Sequence, residues 1–86
     1  MIEQIVILTH TSTPVEVRVA INEKDRSVTI VHDKASGTFM MDIDPYPMNG
    51  PLRTYVRDLC NGNRFQMMKV FYPINIHRGY WDKYWI

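Results

Sequence analysis

The chain has 86 residues, of which 45% are apolar and 22% are charged. A chain this short hides only about 60 to 65% of its unfolded surface, so it supports one hydrophobic core. We therefore expect a single domain over residues 1–86. The composition is that of ordinary globular proteins, which excludes a disordered chain and a fibrous repeat.

Membrane and disulfide signals are both weak in this sequence. The longest apolar runs, such as 5–8 and 37–41, fall far short of the roughly 20 residues that a membrane helix needs. The N-terminus lacks a basic region followed by a cleavage site, and the single Cys60 cannot form an internal disulfide. These features predict a cytoplasmic protein. Self-association is the usual alternative support for a small core, so we also expect a homo-oligomer.

The net charge of +1 conceals an asymmetry along the chain. Residues 1–44 carry four bases and seven acids, a net charge of −3, whereas residues 45–86 carry six bases and two acids, a net charge of +4. If the fold keeps the two halves on different faces, the molecule has a basic side and an acidic side.

Four β-strands are predicted in the first half of the chain. The apolar run at 5–9 predicts a central first strand, because neither of its faces is polar. Alternation over 15–21 and again over 28–32, with a charged turn between them, predicts a hairpin. A polar turn at 33–37 then leads to a fourth strand over 38–43, which the prolines at 45 and 47 must end.

One helix is predicted at about 50–60. Asn49 or Gly50 can serve as its cap and Pro51 fits the first helical position, where a missing N–H is no loss. Apolar residues recur with helical spacing at 52, 55, 56 and 59, and Gly62 suits the left-handed position past the end.

A fifth strand is predicted over 64–71, from its alternating side chains, and a short sixth strand at Ile74 and Ile76. The predicted fold class is α+β: a five- to six-stranded, largely antiparallel meander with the 50–60 helix packed on one face. The main alternative is a small SH3-like or OB-like barrel.

The most unusual feature is the concentration of aromatic residues at the end of the chain, since residues 72–86 hold five of the ten. Tryptophan and tyrosine dominate contact hot spots, and two tryptophans near a chain end need burial on this domain, on a second subunit or on a partner. Together with nearby arginines they form the predicted partner-binding set: Tyr80, Trp81, Tyr84, Trp85, Arg53, Arg57 and Arg78.

Nucleic acid is the alternative partner, because basic residues interleaved with aromatic ones can neutralise phosphates and stack on bases. The pI of about 7.9 is low for such a protein. A tail packed on its own core would need neither kind of partner.

Catalytic and metal-binding patterns are weak. Asp42 and Asp44 could hold Mg²⁺ only with a third oxygen ligand, which the sequence does not supply. His10, His32 and His77 lack metal-ligand spacing. We expect Cys60 to be a small buried hydrophobic residue. We expect His32 to be a half-buried residue of the core, and its functional alternative is a pH-sensitive contact. We expect no cofactor, no metal and no catalytic residue.

The sequence therefore predicts a non-enzymatic protein-protein interaction protein, a small stand-alone adaptor or inhibitor. A phage or mobile-element accessory protein acting on a host complex would have this size and plain composition, although no motif supports that source. A nucleic-acid-binding module that uses the basic, aromatic second half is the alternative. A small hydrolase or nuclease built on Asp42, Asp44 and a histidine is a more distant one.

Overall fold

The computed structural model describes residues 1–40 and 50–78 of the chain. Four β-strands come first and two helices follow, an α+β arrangement. The elements are β1 (Ile2–Leu8), β2 (Val15–Asn22), β3 (Ser27–His32), β4 (Ala35–Met40), α1 (Pro51–Leu59) and α2 (Arg64–Arg78).

The four strands form one antiparallel sheet in the order β1-β2-β3-β4. One face of this sheet is apolar and buried, because alternate side chains of each strand point the same way. Val6 of β1 pairs with Val17 of β2, and Val19 of β2 pairs with Ile30 of β3. The buried residues on this face are Val6, Leu8, Val17, Val19, Ile21, Val28 and Ile30.

Both helices pack on the apolar side of the sheet, α1 against β4 and α2 against β1 and β2. Leu52 and Val56 of α1 are fully buried, as helical spacing predicts. From α2 the core receives Met67, Val70, Phe71 and Ile74. The molecule is therefore a two-layer domain with its core between the sheet and the helices.

The short connection between the helices has a defined geometry. Asn61 and Gly62 take positive φ angles of 53° and 74°, and the N–H of Gly62 donates to the carbonyl of Arg57 at 2.9 Å. This is the left-handed helix end that the sequence predicts at Gly62. The chain then turns into α2, whose first residue is Arg64.

Several predictions are confirmed. The sheet is an antiparallel meander, β2 and β3 form the predicted hairpin, and α1 lies within the predicted 50–60 range. The predicted fourth strand corresponds to β4, which begins at Ala35, earlier than predicted. Residues 41–49 lie outside the described residues.

The predicted fifth and sixth strands are wrong, because residues 64–78 form the helix α2. Met67, Val70, Phe71 and Ile74 have the i, i+3, i+4, i+7 spacing of a buried helix face, and this spacing prevails over the apparent alternation. Pro73 lies inside the helix, where it leaves the carbonyl of Lys69 without its usual helical donor.

The central position predicted for the first strand is also wrong, since β1 is an edge of the described sheet. Val6 and Leu8 face the core, whereas Ile5 and Ile7 point to the opposite face and remain about half exposed. A run that is apolar on both faces therefore does not mark a central strand here. The sheet is open within residues 1–40, with β1 and β4 at its edges, rather than a barrel.

Candidate interaction surface

Polar contacts join helix α2 to the C-terminal end of β1 and to Thr9, which follows that strand. The side chain of Gln66 accepts a hydrogen bond from the backbone N–H of Thr9 at 2.9 Å and donates one to the Thr9 hydroxyl at 3.2 Å. The Lys69 ammonium donates to the carbonyl of Ile7 at 3.3 Å. Asn63 caps the helix, because its side-chain oxygen accepts the N–H of Gln66. One flank of α2 is therefore directed at the edge of β1.

Four large apolar side chains lie along the exposed face of α2. They follow the helical spacing i, i+3, i+7, i+11, which places them in one line about 16 Å long. We call this line the α2 stripe, and its members are Phe65, Met68, Tyr72 and Ile76.

The exposure of the α2 stripe is large for apolar residues. Phe65 is 80% exposed and Tyr72 is 51% exposed, and the other two members are each more than two-fifths exposed. On the opposite face of the helix, Val70 and Ile74 are completely buried. Helices with apolar residues on both faces are usually buried on both faces. A line of exposed apolar residues therefore marks an interaction site.

The helical layer around this stripe is basic. Residues 50–78 contain five bases and one acid, Asp58. On α1, Arg57 is exposed and Arg53 is half-buried, as expected for a solvent-facing side of that helix. Residues 1–40, which form the sheet, contain four bases and five acids. The predicted charge segregation thus follows the two layers of the described structure.

The predicted partner-binding residues are only partly within the described structure. Arg53 and Arg57 lie on α1, and Arg78 is the last residue of α2, although its side chain lies outside the description. The four aromatic residues Tyr80, Trp81, Tyr84 and Trp85 lie outside the described residues. The α2 stripe itself was not predicted, because residues 64–71 were assigned to a strand.

A second group of side chains joins α1 to the end of the sheet. The hydroxyl of Tyr55 lies 2.8 Å from Nε2 of His32, and the two rings meet edge to face at 5.6 Å. The Phe39 ring packs on Tyr55 with centroids 5.1 Å apart. His32 is half-buried, as predicted, and it also borders an open surface depression beside Glu16 and Asp33. This group ties strands β3 and β4 to α1.

Cys60 is completely buried at the end of α1, as the sequence predicts for a small hydrophobic residue. Burial disfavours the charged thiolate and raises the pKa of Cys60 to about 11. A nucleophilic cysteine needs the thiolate, so this environment opposes that role.

Metal ligands are not gathered anywhere in the part of the chain that the structure describes. No group of three or more His, Cys, Asp or Glu side chains in residues 1–40 and 50–76 could hold a metal ion. Asp42 and Asp44 lie outside the described residues, and so does the side chain of His77.

Neither described helix is both long enough and apolar enough to cross a membrane. Comparison with known proteins matched this chain to no family model, to no curated protein and to no solved structure.

Proposed function

We propose that this chain is a non-enzymatic protein-interaction module, an adaptor or inhibitor that docks on another protein through the α2 stripe. The observation that carries the proposal is the stripe itself: four large apolar side chains in one line on a helix whose other face is already buried. Leaving such residues in water forgoes the free energy that burial would supply, about 1.5 to 3 kcal/mol for each fully covered side chain. A partner surface supplies that burial.

The geometry fits recognition of a helix by a groove. Helices that insert into protein grooves present anchors at positions such as i, i+3, i+7, and the α2 stripe has this spacing. Gln66 and Lys69 hold the helix in place by binding Thr9 and the Ile7 carbonyl, so little conformational entropy is lost when it docks. The aromatic residues Tyr80, Trp81, Tyr84 and Trp85 follow α2 in the sequence, and we assign them to the same contact.

Charge indicates the kind of partner. The helical layer has a net charge of +4 over residues 50–78, with Arg57 and Lys69 exposed on it. A complementary surface would have an apolar groove with carboxylates at its rim. Arg53 and Arg78 are the further basic residues that we assign to this contact.

The test compares two variants of the full chain, expressed with an affinity tag in the source cells. The first, Phe65→Ser with Ile76→Ser, changes both ends of the stripe. The control, Val31→Ser, changes an apolar residue that is 38% exposed on the opposite side of the molecule. Proteins retained by each variant are identified by native mass spectrometry, and the affinity of each for the purified partner is then measured.

We expect the wild type and Val31→Ser to retain the same protein, and the stripe variant to bind it at least tenfold more weakly. That loss corresponds to at least about 1.4 kcal/mol, which is ordinary for an interface anchor. Equal binding by the two variants, with both folded by circular dichroism, would contradict the proposal.

Nucleic acid binding is the second candidate, and the basic helical layer with exposed Phe65 and Tyr72 favours it. Phosphate contacts would make the affinity for a single-stranded oligonucleotide fall steeply as salt rises. Arg53→Ala with Arg57→Ala should then reduce both the affinity and its salt slope. A protein partner predicts instead that binding depends on Phe65 and Ile76 and that the oligonucleotide does not compete for it.

A further inference from the structure

Two adjacent methionines lie on different sides of helix α2. Met67 is 5% exposed and belongs to the core, whereas Met68 is 42% exposed and is a member of the α2 stripe. Neighbouring residues of a helix are rotated by about 100°, which directs one side chain to the core and leaves the other at the surface. A reagent in solution can therefore reach Met68 while the helix stays folded.

Met68 lies inside the α2 stripe rather than at its end. Phe65 is three residues before it and Tyr72 is four residues after it, so an aromatic member of the stripe lies on each side of it along the helix. The centre of a protein contact is the part that loses its water most completely, and changes there cost the most affinity. Added polarity at Met68 would therefore weaken docking.

The chain's one thiol does not compete with this thioether for an oxidant. The thiolate is the form of cysteine that reacts with peroxides. Cys60 is completely buried, and its burial raises the pKa of the thiol to about 11. In the described part of the chain, the other methionines with exposed side chains are Met1, which precedes β1, and Met40, which ends β4. Oxidation at the surface of α2 therefore falls on Met68.

We propose that Met68 is a modification site, and that its oxidation to the sulfoxide prevents docking of the α2 stripe. The oxidant is hydrogen peroxide. The sulfur gives an electron pair to one peroxide oxygen, the O–O bond breaks and an S–O bond forms, and the second oxygen takes the remaining proton and leaves as water. The sulfur is oxidised by two electrons and the peroxide is reduced by two. The inference rests on the proposed function, because it assigns a means of regulation to the same surface.

The sulfoxide changes binding without changing the fold. It replaces an apolar thioether with a polar S–O group, whose oxygen accepts hydrogen bonds from water in the free protein. An apolar groove supplies no donor for that oxygen, so docking would remove its water and leave it without a hydrogen bond. Met68 is not part of the buried core, so the free protein keeps its fold.

Exposure of Met68 also makes the change reversible. Methionine sulfoxide reductases convert the sulfoxide back to the thioether. The reduction takes two electrons from a pair of thiols and releases the oxygen as water. A bound partner would cover Met68, so oxidation and repair both act on the free protein.

The first test measures where peroxide reacts and needs no partner. The full chain is treated with hydrogen peroxide under native conditions and in urea, and tandem mass spectrometry of its peptides measures the sulfoxide at each methionine. In the folded protein we expect Met68 and Met40 to react at similar rates, since they are 42% and 44% exposed, and Met67 to react at least tenfold more slowly. In urea all three should react alike. Equal rates at Met67 and Met68 in the folded protein would overturn the proposal.

The second test measures binding to the protein that the wild type retains in the capture experiment described above. The chain is oxidised alone, the peroxide is removed, and the retained protein is then added. Each of wild type, Met68→Leu and the matched control Met40→Leu is compared with its own untreated form, and circular dichroism checks that each is folded. Peroxide should weaken binding by wild type and by Met40→Leu at least tenfold and leave that of Met68→Leu unchanged. Treatment with a methionine sulfoxide reductase and dithiothreitol should restore the wild type.

An equal loss of affinity in peroxide-treated Met68→Leu and wild type would overturn the proposal, as would full affinity in a wild type whose Met68 is oxidised. If Phe65→Ser with Ile76→Ser weakens binding and oxidation of Met68 does not, the docking surface stands and only the inference about Met68 fails. If that untreated stripe variant binds as tightly as the wild type, the proposed function fails and the inference fails with it. The two failures are therefore distinguishable.

Discussion

Nε2 of His32 and the hydroxyl oxygen of Tyr55 lie 2.8 Å apart, and this hydrogen bond joins the end of β3 to the middle of α1. Both side chains are half-buried, and the aromatic contact of Tyr55 with Phe39 extends the connection to β4. The helix thus has a directed polar contact to the sheet in addition to apolar burial of Leu52 and Val56. This contact helps to fix which way α1 faces.

Tyr55→Phe should lower the free energy of unfolding by about 0.5 to 1.5 kcal/mol, because it removes the hydroxyl and keeps the ring. Urea denaturation measures the change. The double-mutant cycle with His32→Ala isolates the pair, and we expect the cost of Tyr55→Phe to fall to near zero in that background. An unchanged cost in the absence of His32 would show that the hydroxyl acts elsewhere.

Gly37→Ala should destabilise the protein by about 1 kcal/mol, although alanine usually fits a strand better than glycine does. A Cβ atom at this position would lie 2.9 Å from two carbon atoms of the Phe39 ring and 3.1 Å from the Tyr55 ring. The added methyl group therefore forces these rings to move.

The neighbouring substitution Ser36→Ala, on the opposite face of β4, is the control and should be close to neutral. Thermal melting compares the two variants. If the Gly37→Ala protein melts at or above the wild-type temperature, the close packing of Phe39 and Tyr55 on Gly37 is contradicted.

The sequence predicted the parts of the fold whose patterns agree with one another. In β2, alternation, a preceding proline and a charged turn all favour a strand, and in α1 the spacing, Pro51 and Gly62 all favour a helix. Each of these elements also has one polar face. A single structure therefore satisfies all the local signals.

Helix α2 could not be assigned in the same way, because its residues satisfy two patterns. Phe65, Met67 and Phe71 alternate with other side chains as a strand would, and Pro73 weakens any helical interpretation. The helix is apolar on both faces, so no polar side identifies its period. The feature that hid the element from sequence analysis is the same one that makes the α2 stripe a candidate interaction surface.

Phe65 and Met67 test whether residues 64–78 form this helix. Met67 is 5% exposed and Phe65 is 80% exposed, since a helix places residues two apart on nearly opposite sides, whereas a strand places them on the same face. Met67→Ala should cost about 2 to 5 kcal/mol of unfolding free energy, whereas Phe65→Ala should stay within about 0.5 kcal/mol. Chemical denaturation of both variants measures this difference. Similar costs at the two positions would contradict the helical placement.

Burial of Cys60 predicts a loss of stability at high pH. The folded protein raises the pKa of this thiol from 9.0 to about 11, so the unfolded chain releases the proton at a lower pH than the folded chain does. Between these two values the unfolded state binds fewer protons, and the unfolding free energy falls by up to about 1.4 kcal/mol per pH unit. Below pH 9 this contribution is complete, and above pH 11 no more is lost.

The difference between wild type and Cys60→Ala isolates this effect, because lysine and tyrosine side chains also titrate in this range. Unfolding free energies of both proteins are measured by urea denaturation from pH 7 to pH 11. We expect Cys60→Ala to be less stable than wild type at pH 7, since it leaves a cavity in the core, and the gap to close as the pH rises from 9 to 11. A gap that stays constant across this range would mean that the thiol ionises as easily in the folded protein as in the unfolded chain. Cys60 would then lie outside the core on which both helices pack.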